Sequence, residues 1–114
     1  MRLYRNKNVV SVVPGTDPNH ALDYWEMIAE NQRTPNPDDL EVIVPHEDFI
    51  KIFRLARMLN SIDQYTYENV ETITLTYAKQ LGYDLSSTDL WNGILDWVER
   101  FEDASDEDIE CWIN

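Results

Sequence analysis

Apolar and polar positions along this chain repeat with two different periods, and the switches between them predict its elements. Leu3-Tyr4-Arg5, the turn-forming Asn6-Lys7-Asn8 and the run Val9 to Val13 read as a short hairpin or one bent strand, closed by Pro14-Gly15. Asp17 and Pro18 then open a helix as N-cap and first helical residue. Ala21, Leu22, Trp25, Ile28 and Ala29 share one face of that helix, while Asp23, Glu26 and Glu30 share the other. Pro35 and Pro37 make residues 33–39 a loop, because two prolines so close together do not sit inside a regular element. Leu40-Glu41-Val42-Ile43-Val44 alternates as a strand does, and Pro45 stops it.

The rest of the chain carries helical spacing. A helix opening at Pro45-His46-Glu47-Asp48 buries Phe49, Ile52, Phe53, Ala56 and Leu59, and Lys51, Arg54 and Arg57 face outward or flank that stripe. A third helix runs from about Thr66 to Leu81 and stops at Gly82. Ser86-Ser87-Thr88-Asp89 has the spacing of a capping box, and Leu90, Trp91, Ile94, Leu95, Val98 and Phe101 form the stripe of the helix that follows. Ser105 starts a short terminal helix with Ile109, Cys111, Trp112 and Ile113 as its apolar residues. This order predicts an α+β fold, mostly helical with four to five helices. Its small sheet comes from the N-terminal strand or hairpin and residues 40–44. With 114 residues and no internal repeat, residues 1–114 are expected to form a single acidic domain.

Composition narrows the class. A hydrophobic fraction of 43% marks a folded chain rather than a disordered acidic tail. No stretch approaches the roughly 20 consecutive apolar residues of a membrane span. The lone Cys111 excludes an internal disulfide, which points to the cytoplasm. The net charge is −13, and residues 84–114 alone hold ten acids against Arg100. Such a surface repels membranes and nucleic acid and attracts basic proteins. The expected partner is therefore a basic protein, itself a nucleic-acid-binding one or a complex of such, with neither a membrane nor direct nucleic-acid contact.

Catalysis needs groups that converge, and none are evident. His20 and His46 stand apart at two helix starts, with no His-x-x-x-His and no cysteine cluster. Cys111 lies among Glu107, Asp108 and Glu110, with no basic or histidine neighbour in sequence to activate a thiolate. Counted from Asp103 as a calcium loop, the sixth and twelfth places hold Asp108 and Asn114 where glycine and glutamate are required. Gly15, Gly82 and Gly93 are isolated, so no glycine-rich loop cradles phosphate. The expectation is a protein that is not an enzyme and uses no catalytic residue, metal or cofactor.

Two predicted helices carry acids opposite their apolar stripes. Asp23, Glu26 and Glu30 follow steps of three and four residues, and Asp89, Asp96, Glu99 and Asp103 follow steps of seven, three and four. Steps of three or four correspond to about 4.5–6 Å along a helix, and a step of seven to about 10.5 Å. Carboxylates so placed can approximate a row of DNA phosphates, and Asp106, Glu107 and Asp108 extend the same negative region. These ten residues are the candidate partner-binding set. Any amphipathic helix of an acidic protein also has an acidic outer face, so solubility alone accounts for the same spacing.

The segment Tyr24-Trp25-Glu26-Met27-Ile28-Ala29-Glu30-Asn31-Gln32-Arg33 resembles the first-helix region of the Ocr antirestriction proteins of T7-like phages. Asp38-Asp39-Leu40, Val44-Pro45-His46, Ile52-Phe53 and Asp89-Leu90-Trp91 follow in a similar order, in short pieces over about half the chain. The basic, valine-rich N-terminal stretch departs from that pattern. The resemblance implies a dimeric, cofactor-free DNA mimic that blocks a restriction enzyme or, by extension, a CRISPR-type complex. It also implies that the ten acids stand in for phosphates. The alternative is an interaction module, such as an adaptor or an immunity protein, that binds a basic partner. There the exposed aromatics, with Trp97, Trp112 and Tyr83 as candidates, make the contact and the acids form its rim.

Overall fold

The computed structural model describes residues 1–6, 12–22, 37–62 and 64–113. The architecture is α+β and mostly helical, with one three-stranded antiparallel sheet in the order β2-β1-β3. Strand β1 (Arg2–Asn6) is central, flanked by β2 (Val12–Gly15) and β3 (Leu40–Val44). The register pairs Tyr4 with Val13 on one side and with Val42 on the other. Between Leu3 and Tyr4 the pairing to β3 shifts from Val44 to Val42, so Ile43 is the extra residue of a bulge.

Successive residues of β1 point to opposite faces of the sheet, and both faces are covered. Leu3 joins the main core with Val12, Val44, Phe49, Ile52 and Phe53, whereas Tyr4 joins a smaller cluster with Val13, Ala21 and Leu40. Pro14 and Gly15 do not close the hairpin as their turn chemistry suggests. They belong to β2, opposite Leu3 and Arg2, because an edge strand tolerates a missing backbone donor. Gly15 lies so close to the following helix that a Cβ there would stand 2.6 Å from the backbone nitrogen of Ala21.

That helix, α1, begins at Pro18, and its described part is residues 18–22. The Asp17 carboxylate accepts a hydrogen bond from the His20 amide at 2.9 Å, which is the N-cap that the sequence predicts. Trp25, Ile28 and Ala29 of the expected stripe lie outside the described residues. A single 3-10 turn, Pro37–Asp39, leads into β3.

Helix α2 (His46–Asn60) buries Phe49, Ile52, Phe53, Ala56 and Leu59, the full predicted stripe. Helix α3 (Tyr67–Gln80) starts at Thr66, whose side chain accepts from the Asn69 amide. It ends on Gly82 at φ 101°, where the Gly82 amide donates to Lys79 and the Tyr83 amide donates to Ala78. This pair of hydrogen bonds is the Schellman stop that a glycine in the left-handed region permits.

The next helical stretch is not uniform. It comprises α4 (Ser87–Leu90), a π-helical turn (Trp91–Leu95) and α5 (Asp96–Arg100), and α6 (Asp106–Ile113) follows. The turn packs against β2 and α2, and a Cβ on Gly93 would run into Leu3 Cδ1. The wider turn keeps Leu90, Ile94, Leu95 and Val98 all buried while the helix passes close to the sheet. Among the described residues no helix is long and apolar enough to cross a membrane.

Candidate functional site

The acids expected to face a partner fall into three groups. Asp23, Glu26 and Glu30 lie outside the described residues. Asp89, Asp96 and Asp106 are engaged within the molecule. Glu99, Asp103, Glu107 and Asp108 are exposed.

Asp89 is the clearest correction. It is buried, and it closes the capping box at the start of α4. Its carboxylate accepts from the Ser86 amide at 3.1 Å, and its own amide donates to Ser86 Oγ at 3.1 Å. The same carboxylate oxygen meets the Arg5 guanidinium at 3.4 Å, tying the last third of the chain to the central strand. A carboxylate held by the Ser86 amide and by Arg5 is turned inward and cannot present a charge to a phosphate-binding site. Asp96 pairs with Arg100 one helical turn on, at 3.1 Å. Asp106 receives Arg57 at 2.5 Å, and Arg57 also donates to the Ala104 carbonyl at 2.5 Å, so this arginine holds α6 against α2.

The row of acids is also broken in register. Helix α5 ends at Arg100, residues 101–103 form turns, and helix resumes only at Asp106. Asp103 therefore does not continue the spacing of Asp96 and Glu99 on one helix face.

The three basic residues of α2 and Arg5 of the central strand are spent on the chain's own acids. Lys51 lies 3.7 Å from Asp48, Arg54 lies 3.6 Å from Glu110, and Arg5 and Arg57 are paired as described. Across residues 84–110 the balance is the reverse. Asp84, Glu99, Glu102, Asp103, Glu107 and Asp108 are exposed and meet no lysine or arginine within salt-bridge distance among the described residues.

The aromatics named as contact candidates sit differently from expectation. Trp97 is half-buried, stacked on Phe101 at 5.6 Å between ring centres, with Arg100 5.2 Å above its ring. Tyr83 is half-buried and donates its hydroxyl to Asp48. That hydrogen bond, with some burial, pushes the phenol up to about 12, so it stays neutral through the physiological range. Trp112 lies on α6, but its side chain is outside the described residues.

Sequence periodicity missed the exposed apolar residues that do exist. Met58 is 54% exposed on α2, and Ile62, Tyr65 and Tyr67 (63% exposed) follow between α2 and the first turn of α3. Tyr67 leans on Trp91 at 6.0 Å. The signal was present, because Met58 falls off the α2 stripe and the two tyrosines precede any stripe on α3.

The histidines take part in local structure. His20 Nδ1 accepts from the Thr16 amide at 3.0 Å, and His46 Nδ1 lies 2.8 Å from the Met1 amino group. Among the described residues no three of His, Cys, Asp and Glu are grouped to hold a metal ion. No known family model, curated protein or solved structure matches this chain.

Proposed function

We propose that this protein acts without catalysis, in the cytoplasm, by binding a basic protein through the acidic surface of residues 84–110 and blocking the surface it covers. The observation that carries this reading is the set of six exposed carboxylates with no cationic partner among the described residues. Unpaired like charges on a small domain repel one another and cost stability. A partner of opposite sign relieves that cost, speeds encounter and fixes orientation.

A second reading, nucleic-acid mimicry, is favoured by Glu99, Asp103, Glu107 and Asp108, four exposed carboxylates at steps of four, four and one along the chain. The resemblance to the Ocr antirestriction proteins supports the same reading. The partner would then be a DNA-handling defence complex, a restriction enzyme or a CRISPR-type assembly. The buried Asp89 and the break after Arg100 shorten the row that such mimicry needs, so the broader reading stands first.

Capture of partners from bacterial lysate on the tagged protein tests both. The expected result is a basic protein retained at low salt and released at high salt, because exposed charges separated by more than about 8–10 Å are largely screened at 0.1–0.15 M ionic strength. Displacement of that protein by added duplex DNA would select mimicry. A partner that survives the high-salt wash and ignores DNA would contradict an acid-driven contact.

A further inference from the structure

The exposed apolar side chains are not scattered. Of six large hydrophobic residues exposed among the described ones, Met58, Ile62, Tyr65 and Tyr67 line two adjoining hollows. The first, about 620 Å³, opens between α2, α5 and α6 over Phe53, Val98 and Ile109. The second, about 640 Å³, opens between the end of α2, the start of α3 and the end of α5, over Val70. Asn60 and Glu102 line both, which makes them one groove with an apolar floor.

The charges along this groove differ in state. Arg54 and Arg57 on the wall of the first hollow are already matched by Glu110 and Asp106. Glu99 on the wall of the second hollow and Glu102, where the two hollows meet, are exposed and have no cation within salt-bridge distance among the described residues. The unbalanced charge of the groove is therefore negative, and it lies directly beside exposed apolar surface.

We propose that this groove docks a basic amphipathic segment of a partner protein. Its apolar side chains enter the two hollows beside Met58 and Tyr67, and its lysines or arginines meet Glu99 and Glu102. The inference rests on the reading of this chain as a binder of basic proteins and adds the surface and the chemistry of the occupant. Apolar anchors in a groove with a charged rim are a recurrent way of holding a helix, the anchors supplying affinity and the rim orientation. Anionic membranes and nucleic acid are disfavoured at the same place by the two glutamates.

Two synthetic peptides of equal leucine and lysine content test it, one with all leucines on a single helical face and the other scrambled. Titrated into the full chain, the amphipathic peptide is expected to bind at least tenfold more tightly than the scrambled one. Met58→Ser combined with Tyr67→Ser, both at exposed positions, should abolish that preference, and Glu99→Gln with Glu102→Gln should weaken both peptides about tenfold. Equal affinity for the two peptides, or an unchanged preference in the Met58/Tyr67 variant, would overturn the groove. If both peptides bind equally and lose affinity with salt, the acidic surface remains the binding site and only the groove fails. If neither binds, the groove fails. The broader reading fails with it only when lysate capture also yields no salt-sensitive basic partner.

Discussion

Replacing Phe53 with alanine is expected to lower the unfolding free energy by about 3–5 kcal/mol, the range for truncating a fully buried aromatic. Phe53 is wholly inaccessible, stacks on Phe49 with ring centres 6.2 Å apart, and lies beneath the first hollow. Its neighbours Ile52, Ala56 and Val98 are held by helix backbones that cannot collapse fully into the space left behind. Against a total stability of roughly 5–15 kcal/mol for a domain, this loss is a large fraction of the whole. Urea unfolding followed by tryptophan fluorescence reads it as a lower midpoint with little change in slope. A loss below about 1 kcal/mol would mean that Phe53 is not a core residue, since a buried phenyl ring carries more than that in transfer free energy alone.

Asp89→Ala is the second large effect, and it separates structure from function. The change removes the half of the capping box in which the Asp89 carboxylate accepts from the Ser86 amide, and leaves the partly buried Arg5 without its carboxylate. Loss of a cap costs about 1 kcal/mol, and a hydrogen bond to a charged group adds about 1.5–3 kcal/mol when buried, so the sum is on the order of 2–3 kcal/mol after allowing for Arg5 exposure. Asp89→Asn should cost less, because its amide oxygen can still accept from Ser86. Both variants should keep their salt-sensitive partner at temperatures where they are folded. Unchanged stability with lost binding would return Asp89 to the partner-facing set.

Much of the fold was legible because its signals are local. Thr66, Ser86 and Gly82 mark helix ends through bonds that span only a few residues, and the α2 stripe needs nothing beyond 3.6-residue spacing. The π-helical turn was hidden because apolar residues at 90, 91, 94, 95 and 98 suit either winding. What selects the wider turn is the approach of Gly93 to Leu3, a residue 90 positions away.

The candidate site was less legible for the same reason. The capping-box spacing at Ser86 already ties Asp89 to its own helix end, and Arg5, on a strand at the other end of the chain, is the second hold on its carboxylate that no local pattern shows. Arg57 likewise finds Asp106 across 49 residues, which neutralises an acid that spacing alone would assign to a partner. Glu102 was overlooked because it belongs to no helix stripe, yet it lies where the two hollows meet. The regional charge, by contrast, was plain from composition, and the folded chain leaves it largely unmatched between residues 84 and 110.

The most direct test of binding through that surface compares the wild-type chain with a variant carrying Glu99→Gln, Glu102→Gln, Asp103→Asn and Glu107→Gln. All four positions are exposed, so the variant should unfold at the same urea concentration as the wild type or slightly above it. Its affinity for the basic protein captured at low salt should fall at least tenfold, and its salt dependence should flatten. An equally stable variant that holds the same protein with undiminished affinity would show that these carboxylates serve solubility and not recognition.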